Sequence, residues 1–495
     1  MSEAAAGRHM RRHVTTLAAL AVTGPFLIIA APPTTAIGSP CVNNLRQEPL
    51  QEKPVGLLES LTFRGSTGIP RVQGTVNGTP GDNEDSSNPP WLKGRPGQLP
   101  IIKGHTEALH LVTGPGSPAR TDRAFGIAGT DLGVALKDAE GHLMLIFGDT
   151  VACDDSSSDW RSNTIVRTSD LDYADGLEIE EALARDGWTS QGRAVEFIDS
   201  LKDPGHEHTT IPTAAITING MHYVDYMSIR EWSEPGRWKT NYAGTVRSRD
   251  GVTWSVVKDS LRTNKRPSLT KITGLPSYRE GNEKLQMSSF VEHDGFVYRF
   301  STPSGRDGSA ILGRAPVSEF PDESAFRFFD GTSWFSPGDR KRNPDGDDGP
   351  YTLEDAVTIF DRPVSELSVT WNDHLSKFIT LFTTDRGLVL RTAESLTGPW
   401  EQEHMIVDTG TVNDLYGASI LPADGGRDLY FIATTWSNYN VLLMRTNLDE
   451  LLGRVPTDTD SRVSHPDPRP SADEDYDPTE DDGLEVVGVV DYRNQ

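Results

Sequence analysis

Hydrophobic positions in the central part of the chain, residues 105–455, fall in short runs separated by turn residues, with no long stretch of helical period. One order recurs: a strand of small and β-branched residues, a polar turn, and an aromatic strand. Residues of these types are typical of β-strands. The two strands of the five copies span residues 130–136 and 143–147, 211–218 and 222–227, 285–291 and 296–300, 367–371 and 377–382, and 416–421 and 429–433. The pattern predicts an all-β fold built from five similar units.

Five copies within residues 105–455 leave about 70 residues for each unit, which is enough for a four-stranded blade with long loops. We therefore predict a five-bladed β-propeller over this range. A large sandwich or jelly roll would also explain the strands, but it would not explain their recurring order. Residues 248–254 also resemble the Asp-box hairpin of sialidase-like propellers, with one residue missing.

The first 36 residues have the pattern of a signal peptide. A basic start precedes an apolar run at residues 14–31, and a segment of small residues ends at Ala36. An uncleaved membrane anchor is the alternative, but Gly24 and Pro25 interrupt the run, whose length is marginal for a spanning helix. We predict cleavage after Ala36, with Ala31 as the second choice, and a secreted protein, extracellular or associated with the cell wall, with no stable membrane insertion.

Two further segments flank the predicted propeller. Residues 37–104 are rich in Pro and Gly and predict an N-terminal arm or linker. Residues 456–495 hold twelve acidic residues against three arginines, which predicts a disordered acidic C-terminal tail. The two cysteines, Cys41 and Cys153, exclude a disulfide framework and allow at most one bridge.

The composition adds limits on partners. The 47 Lys and Arg residues against 72 Asp and Glu residues give a net charge of −25. Nucleic-acid and anionic membrane surfaces are bound by clustered positive charge, so this composition argues against both. The sequence shows no metal-ligand spacing, and we predict neither a metal nor a cofactor.

The first hairpin predicts a pair of acidic residues. Its three-residue loop, 139–141, carries Gly141 at the third position, a favoured hairpin connection. The resulting register pairs positions whose numbers sum to 280, which sets Asp131 opposite Asp149 and Gly133 beneath Phe147. The alternative is that the two aspartates only stabilise turns, since a slip of one residue would place them on opposite faces.

Opposed carboxylates suggest a chemical role. Like charges directly across a sheet destabilise it, and two carboxylates so close should raise the pKa of one of them. A glycosidase needs such a pair, with one acid to protonate the leaving oxygen and one carboxylate to activate water or attack the sugar. We take Asp131 as general base and Asp149 as general acid, with the roles interchangeable.

Other polar residues lie where the inner strands of a propeller would converge on one mouth. Each is also compatible with an ordinary loop position, and their shared placement is what suggests a site. The predicted substrate-binding or supporting residues are Arg161, Asn163, Glu207, His208, Asn282, Gln286, Glu366 and Tyr416, with Asn413 beside them. Tyr242, Trp232 and Tyr416 are candidates for stacking on sugar rings, although aromatic residues in strands are more often core.

Several spaced motifs together resemble one known family. They are Gly-Thr-Asp-Leu-Gly at 129–133, Phe-Gly-Asp-Thr at 147–150, Trp-Arg-Ser-Asn at 160–163, Glu-His-Thr-Thr-Ile-Pro-Thr at 207–213 and Asn-Tyr-Ala-Gly at 241–244. The region from about residue 120 to 450 resembles the actinobacterial domain of unknown function 4185, whose members are placed in glycoside hydrolase family 183, the endo-D-arabinanases.

The resemblance implies a five-bladed propeller that cleaves α-D-arabinofuranosyl linkages of arabinogalactan and lipoarabinomannan in an endo fashion. It also implies catalysis by Asp131 and Asp149. We thus predict a monomeric, secreted glycoside hydrolase with a polysaccharide substrate. The alternative is a non-catalytic glycan-binding propeller of the cell envelope. A sialidase is disfavoured, because the sequence shows one degenerate Asp box and no arginine cluster.

Overall fold

The computed structural model describes residues 75–76, 98–152, 159–234, 236–268, 270–341, 349–412, 414–423, 425–436, 439–454 and 482–491. The predicted signal peptide, Cys41, Cys153, Asn413, most of the predicted arm, and residues 456–481 and 492–495 of the predicted tail lie outside these ranges. Within them, no helix has the length and apolar character needed to cross a bilayer.

Strands account for nearly all regular structure in these ranges. In chain order they are β1 (Thr75–Val76), β2 (Gln98–Lys103), β3 (Thr106–Leu111), β4 (Gly129–Lys137), β5 (Leu143–Val151), β6 (Thr164–Thr168), β7 (Glu181–Ala184), β8 (Gly187–Thr189), β9 (Thr209–Ile218), β10 (Met221–Trp232), β11 (Trp238–Ser248), β12 (Ser255–Thr263), β13 (Met287–His293), β14 (Phe296–Thr302), β15 (Gly308–Pro316), β16 (Arg327–Phe329), β17 (Trp334–Phe335), β18 (Thr358–Val364), β19 (Leu367–Asn372), β20 (Lys377–Thr383), β21 (Gly387–Ala393), β22 (His404–Asp408), β23 (Leu415–Ile420), β24 (Asp428–Thr435), β25 (Asn440–Asn447) and β26 (Glu485–Asp491). The short helices are α1 (Thr121–Ala124) and α2 (Leu448–Leu451), with 3₁₀ turns at Asn282–Lys284, Glu323–Ala325 and Leu353–Asp355.

Five antiparallel sheets form the blades of a propeller. Blade I is β4 to β8, blade II β9 to β12, blade III β13 to β17 with β18 paired to β15, blade IV β19 to β22, and blade V β23 to β25 with β3. The first strands of the blades, β4, β9, β13, β19 and β23, contact one another in a closed ring. The predicted five-bladed propeller is confirmed, and each sequence repeat forms the two innermost strands of one blade.

The ring is closed by a strand from the N-terminal side. Strand β3 pairs with β25, so blade V takes its outer strand from residues that precede blade I. The buried hydroxyls of Thr106 and Thr446 lie 2.7 Å apart across this pairing. Closure of this kind ties both ends of the propeller sequence into one sheet.

Apolar side chains fill the spaces between the blades. Between blades I and II, for example, Met144 and Ile146 pack with Val224 and Tyr226. Eight of the nine residues of β5 are buried, because a middle strand of a blade is covered on both faces. This double burial explains why the second strand of each repeat reads as a nearly continuous apolar run.

The C-terminal tail differs from the prediction in the part that the structure describes. Strand β26 lies within the segment expected to be disordered and pairs with β2 of the predicted arm. Leu484 and Val486 pack with Leu99 and Ile102 against the layer between blades IV and V. The reason lies in local sequence: residues 484–490 are a valine-rich run without a cluster of charge, although the tail as a whole is acidic.

The Asp-box turn proves to have a second copy. The carboxylate of Asp250 accepts hydrogen bonds from the backbone NH groups of Val252 and Thr253. Asp330 accepts the same two bonds from Thr332 and Ser333. Both turns share an Asp-Gly pair followed by Trp four residues after the aspartate, a similarity that the sequence analysis missed.

Candidate active site

The register of the β4–β5 hairpin agrees with the predicted one at most positions, but the predicted pairs 131–149 and 133–147 are replaced by a register shift on either side of Leu132. Positions 130 and 150, and 135 and 145, are paired, and both pairs sum to 280. The loop hydrogen bond from the Asp138 NH to the His142 carbonyl, 2.9 Å long, agrees with a three-residue connection. The hairpin therefore brings Asp131 and Asp149 to the same end of blade I.

A local irregularity interrupts this register beside the aspartates. Leu132 and Gly133 both have positive φ, 63° and 101°, and Leu132 pairs with Phe147. A Cβ atom on Gly133 would lie 2.3 Å from Ile432 Cδ1 and 3.1 Å from the Phe147 ring, so this glycine covers the ring as predicted. The distortion of the strand redirects its first residues, which include Asp131.

The carboxyl group of Asp131 lies directly over Gly148. A Cβ atom on Gly148 would be 2.4 Å from Asp131 Oδ1. No other residue type leaves room for this close approach, which explains a glycine immediately before Asp149.

Asp131 is held as a weak acid. Its Oδ2 accepts a hydrogen bond of 3.0 Å from the Tyr416 hydroxyl. Its Oδ1 is buried, with no hydrogen-bond partner among the described residues. Burial, together with the charge of Asp149, raises the pKa of Asp131 to about 8, although the Tyr416 bond opposes the change. Asp131 is therefore protonated at neutral pH.

Asp149 accepts more hydrogen bonds from neighbouring side chains than Asp131 does. Its Oδ1 accepts hydrogen bonds from Thr209 Oγ1 at 2.6 Å and from Trp160 Nε1 at 2.9 Å. Burial raises the pKa of Asp149 to about 6, and these bonds, with the charge of Lys202, limit the rise. Hydrogen bonds donated to a carboxylate favour its charged form, so Asp149 is ionised at neutral pH.

The two carboxyl groups thus have opposite protonation states near pH 7. The order of their pKa values favours Asp131 as the acid and Asp149 as the carboxylate. This is the reverse of the roles first assigned from the sequence, because spacing along a hairpin carries no information on which residue is better supplied with hydrogen-bond donors.

A charged pair lies next to Asp131. Arg306 Nη2 is 2.8 Å from Glu366 Oε1, and Arg306 Nε is 3.3 Å from Glu366 Oε2. Burial opposes the ionisation of Glu366, but the charge and hydrogen bonds of Arg306 outweigh it and lower its pKa. The Arg306 guanidinium also lies 4.7 Å from the centre of the Tyr416 ring. Arg306 therefore links Glu366 and Tyr416, two predicted site residues, beside Asp131.

A second group of side chains supports Asp149. The Lys202 ammonium lies 4.6 Å from the centre of the Trp160 ring and donates to the Trp160 carbonyl at 2.6 Å. The half-buried His208 packs against the same indole, with ring centroids 5.2 Å apart. Because Trp160 donates to Asp149, this group fixes one wall of the site, and His208 belongs to it.

Two exposed tryptophan rings lie on the Asp131 side of the site. Trp436 is 39% exposed and packs on Tyr416, with centroids 6.0 Å apart. Trp232, 37% exposed, packs on Trp238, whose ring lies under Arg306 at 5.5 Å. Tyr242, by contrast, packs inside blade II against Tyr226.

Arg161, Asn163 and Glu207 are buried and bonded within the protein. Arg161 donates to the carbonyls of Ala194 and Gly126. The Asn163 amide group bonds to both the NH and the carbonyl of Ile198. These contacts hold the segment before blade I and the connection from blade I to blade II, which fits a supporting role.

Glu207 accepts a 2.5 Å bond from Ser228 Oγ and one of 3.1 Å from the Leu201 NH, and burial raises its pKa. It thus supports the loop that carries Lys202.

Asn282 and Gln286 are engaged at the junction of blades II and III. Asn282 Nδ2 donates to the Thr263 carbonyl at 3.2 Å. Gln286 Oε1 accepts from Thr240 Oγ1 at 2.7 Å, and its Nε2 donates to the Asn282 carbonyl. Their polar atoms are used inside the protein and contact neither Asp131 nor Asp149.

Several residues at the site were not predicted as site residues, among them Thr209, Trp160 and Arg306. Thr209 and Trp160 lie inside the motifs on which the family resemblance rests, so these motifs could have indicated both as site residues. Arg306 lies in the connection between β14 and β15, where no periodicity or motif marks it. Only the closed ring brings this connection beside β23 and Asp131.

Fold and site together define a five-bladed propeller with two carboxyl groups of different acidity at one end of its inner strands. The chain belongs to the family described as Domain of unknown function (DUF4185), whose profile matches residues 116–445.

Two fungal relatives are similar over most of their length. Notoamide biosynthesis cluster protein J of Aspergillus sp. (strain MF297-2) is 25% identical over 352 residues, covering 67% of this chain and 86% of the relative. Protein J' of Aspergillus versicolor is 26% identical over 340 residues, with coverage of 65% and 85%.

Similar solved structures include exo-β-1,3-galactanase from Phanerochaete chrysosporium, with TM-score 0.37, 9% identity and coverage of 64% of each chain. A GH32 β-fructofuranosidase from Bombyx mori has TM-score 0.36, 13% identity and coverage of 69% and 61%.

Proposed function

We propose that this protein is a glycoside hydrolase in which Asp131 is the general acid and Asp149 the catalytic carboxylate. The observation that carries the proposal is the pair itself: two buried carboxyl groups at one end of a hairpin, with pKa values raised to about 8 and about 6. Glycosidases divide their work between one protonated and one ionised carboxyl group.

The reaction follows from the two protonation states. Asp131 donates its proton to the glycosidic oxygen as the bond from that oxygen to the anomeric carbon breaks. Asp149 either takes a proton from the attacking water or attacks the anomeric carbon itself, giving an ester that water then cleaves. In both routes water adds across the bond, and Asp131 is reprotonated by the end of the cycle.

The substrate proposed is an arabinan with α-D-arabinofuranosyl linkages, as in arabinogalactan and lipoarabinomannan, cleaved in an endo fashion. The proposal rests on the spaced motifs around Asp131, Asp149, Trp160 and Thr209, which resemble those of endo-D-arabinanases. The exposed Trp436 and Trp232 agree with a sugar ligand, because aromatic faces stack on the apolar faces of sugar rings. The pattern of residues 1–36 makes secretion part of the proposal.

The test is to incubate the purified protein with arabinogalactan and separate the products by chromatography. We expect arabino-oligosaccharides of several lengths early in the reaction, since an endo enzyme cuts within chains. NMR of the first products then distinguishes the two routes, because direct attack by water inverts the anomeric configuration and an ester intermediate retains it. Binding of arabinogalactan without any new reducing end would contradict the proposal and support a glycan-binding propeller.

A further inference from the structure

We propose that Arg306 and Glu366 are positioning residues that control Asp131 in two ways, by holding Tyr416 against it and by the opposite charges that they place beside it. The inference rests on the proposed role of Asp131 as acid, and it concerns residues that contact this acid through a second side chain. It assigns a function to Arg306, which no sequence motif marked.

Hydrogen bonds fix the orientation of the Arg306 guanidinium group. It makes two contacts with Glu366, 2.8 and 3.3 Å long, and its Nε is also 3.1 Å from Ser365 Oγ. Paired contacts of this kind between arginine and a carboxylate determine orientation as well as distance. The backbone NH of Arg306 donates to the Gly236 carbonyl at 2.8 Å, which ties its loop to blade II.

The fixed guanidinium holds Tyr416 in place. It lies 4.7 Å from the centre of the Tyr416 ring and 5.5 Å from that of Trp238. Tyr416 is buried, and its hydroxyl donates to Asp131 Oδ2 at 3.0 Å. The orientation of the Arg306–Glu366 pair therefore determines where the Tyr416 hydroxyl meets Asp131.

The pair also acts on Asp131 by charge. Arg306 favours the ionised form of Asp131, whereas Glu366 favours the protonated form. The other titratable groups that face Asp131 are Asp149 on β5, Tyr416 on β23 and Tyr439 at the turn before β25. Arg306 and Glu366 are only partly buried, with 30% and 17% of their side chains exposed, so solvent weakens each effect without removing it.

Opposite substitutions should have opposite effects. Replacing Arg306 in Arg306→Gln removes a positive charge and should raise the pKa of Asp131, moving the alkaline limb of kcat/KM to higher pH. Glu366→Gln removes a negative charge, while the amide oxygen still accepts a hydrogen bond from Arg306 and keeps Tyr416 in place, so this limb should move to lower pH. We expect each shift to be at least about 0.5 pH unit, less than that of a direct contact.

Three further variants make the result specific. Tyr416→Phe keeps the ion pair but removes the hydrogen bond to Asp131, so it should move the limb to higher pH, as Arg306→Gln does. Arg445→Gln breaks a pair with Glu107 on the β25–β3 edge of blade V and should leave the limb unchanged. Asp131→Asn identifies the Asp131 signal in NMR.

A carboxyl-carbon NMR titration of Asp131 in the full chain provides a readout without substrate. The opposite pKa shifts should appear there even if arabinan is not cleaved, so failure of the proposed function and failure of this inference are distinguishable. Shifts in the same direction, or none, in Arg306→Gln and Glu366→Gln would overturn the inference. So would a large rise in KM with unchanged limbs, which would mean that the pair binds substrate directly.

Discussion

At the scale of single residues, the central feature is a pair of buried carboxyl groups, an arrangement that is unfavourable for stability but suited to acid–base catalysis. Asp131 has a buried oxygen without a partner among the described residues, beside a second carboxyl group. Asp149 accepts two hydrogen bonds on one oxygen, so its ionisation costs less free energy than that of Asp131. The pKa values of about 8 and about 6 describe a coupled pair in which Asp149 loses its proton first.

The pH dependence of activity follows from this order. In the proposed reaction, activity requires a protonated Asp131 and an ionised Asp149. As pH rises, kcat/KM should therefore increase through about 6 and decrease through about 8. Initial rates of arabinan cleavage in buffers across this range measure both limbs. A profile that stays flat from pH 5 to 9 would show that the two groups do not control the reaction.

Stability should change in the opposite sense to activity when Asp131 is replaced. The pKa of Asp131 is raised on folding, so between about pH 4 and pH 8 the folded protein holds a proton that the unfolded chain has lost. Stability contributed by this group therefore decreases as pH rises. Asp131→Asn removes the penalty, and we expect its Tm to exceed the wild-type value by about 2 °C or more at pH 8.

The same comparison at pH 5 should give a smaller difference, because little of the penalty has accumulated there. Differential scanning fluorimetry at both pH values measures the change. If Asp131→Asn unfolds earlier than the wild type at pH 8, Asp131 has a structural role that this account lacks.

Gly148 provides a steric test of the position of Asp131. In Gly148→Ala the new Cβ would lie 2.4 Å from Asp131 Oδ1, so the carboxyl group must move. We expect kcat to decrease by about 100-fold, as for other ångström-scale displacements of catalytic groups. Gly426→Ala is the matched control, because a Cβ there has no atom within 4 Å. Equal activity in both variants would contradict the close approach.

The sequence was sufficient to place the two aspartates at the same end of one hairpin, but it did not predict which residues contact them. A three-residue loop fixes a hairpin register, and a register fixes which residues are opposed. Thr209, Tyr416 and Arg306 reach the pair from other blades or their connections, and no rule of local spacing predicts those distances. The roles of the two aspartates depend on these partners, and the sequence left them interchangeable for that reason.

At the scale of elements, the five inner hairpins were predictable and the additional strands were not. Each hairpin has a turn between two runs of strand-forming residues, which is a local signal. Strands β3 and β26 pair with partners that are distant in sequence, so alternation alone could not assign them. Strand β26 was further concealed by the acidic composition of the tail around it.

The packing of β26 predicts a role for Asp482. Its carboxylate, which is buried, accepts hydrogen bonds from the NH groups of Asp408 and Leu484, at 2.9 and 3.0 Å. Asp482→Ala should lower the free energy of unfolding by about 1–3 kcal/mol, because two partly buried NH groups lose their acceptor. Glu485→Ala, at an exposed position of the same segment, is the control and should have little effect.

Urea denaturation followed by tryptophan fluorescence measures both variants. An Asp482→Ala protein as stable as the wild type would mean that the C-terminal strand contributes little to the propeller.

At the scale of the whole molecule, the site exists only when the ring is closed. Asp131 and Asp149 belong to blade I, Thr209 to blade II, and Tyr416 to blade V. Arg306 comes from the connection within blade III, and Glu366 immediately precedes blade IV. Closure by β3 holds blade V beside blade I and therefore Tyr416 beside Asp131. The five sequence repeats predicted this ring. Residues at the ends of the inner strands converge in it, as expected.

The most direct measurement is the release of reducing ends from arabinogalactan by the wild type, Asp131→Asn and Asp149→Asn at pH 7. We expect release by the wild type and a decrease of about 10²-fold or more in each variant, the usual contribution of a general acid or base. An aryl arabino-oligosaccharide with an acidic leaving group, which needs no protonation, should restore much of the activity of Asp131→Asn only. No release by a folded wild type, or undiminished release by both variants, would contradict the account.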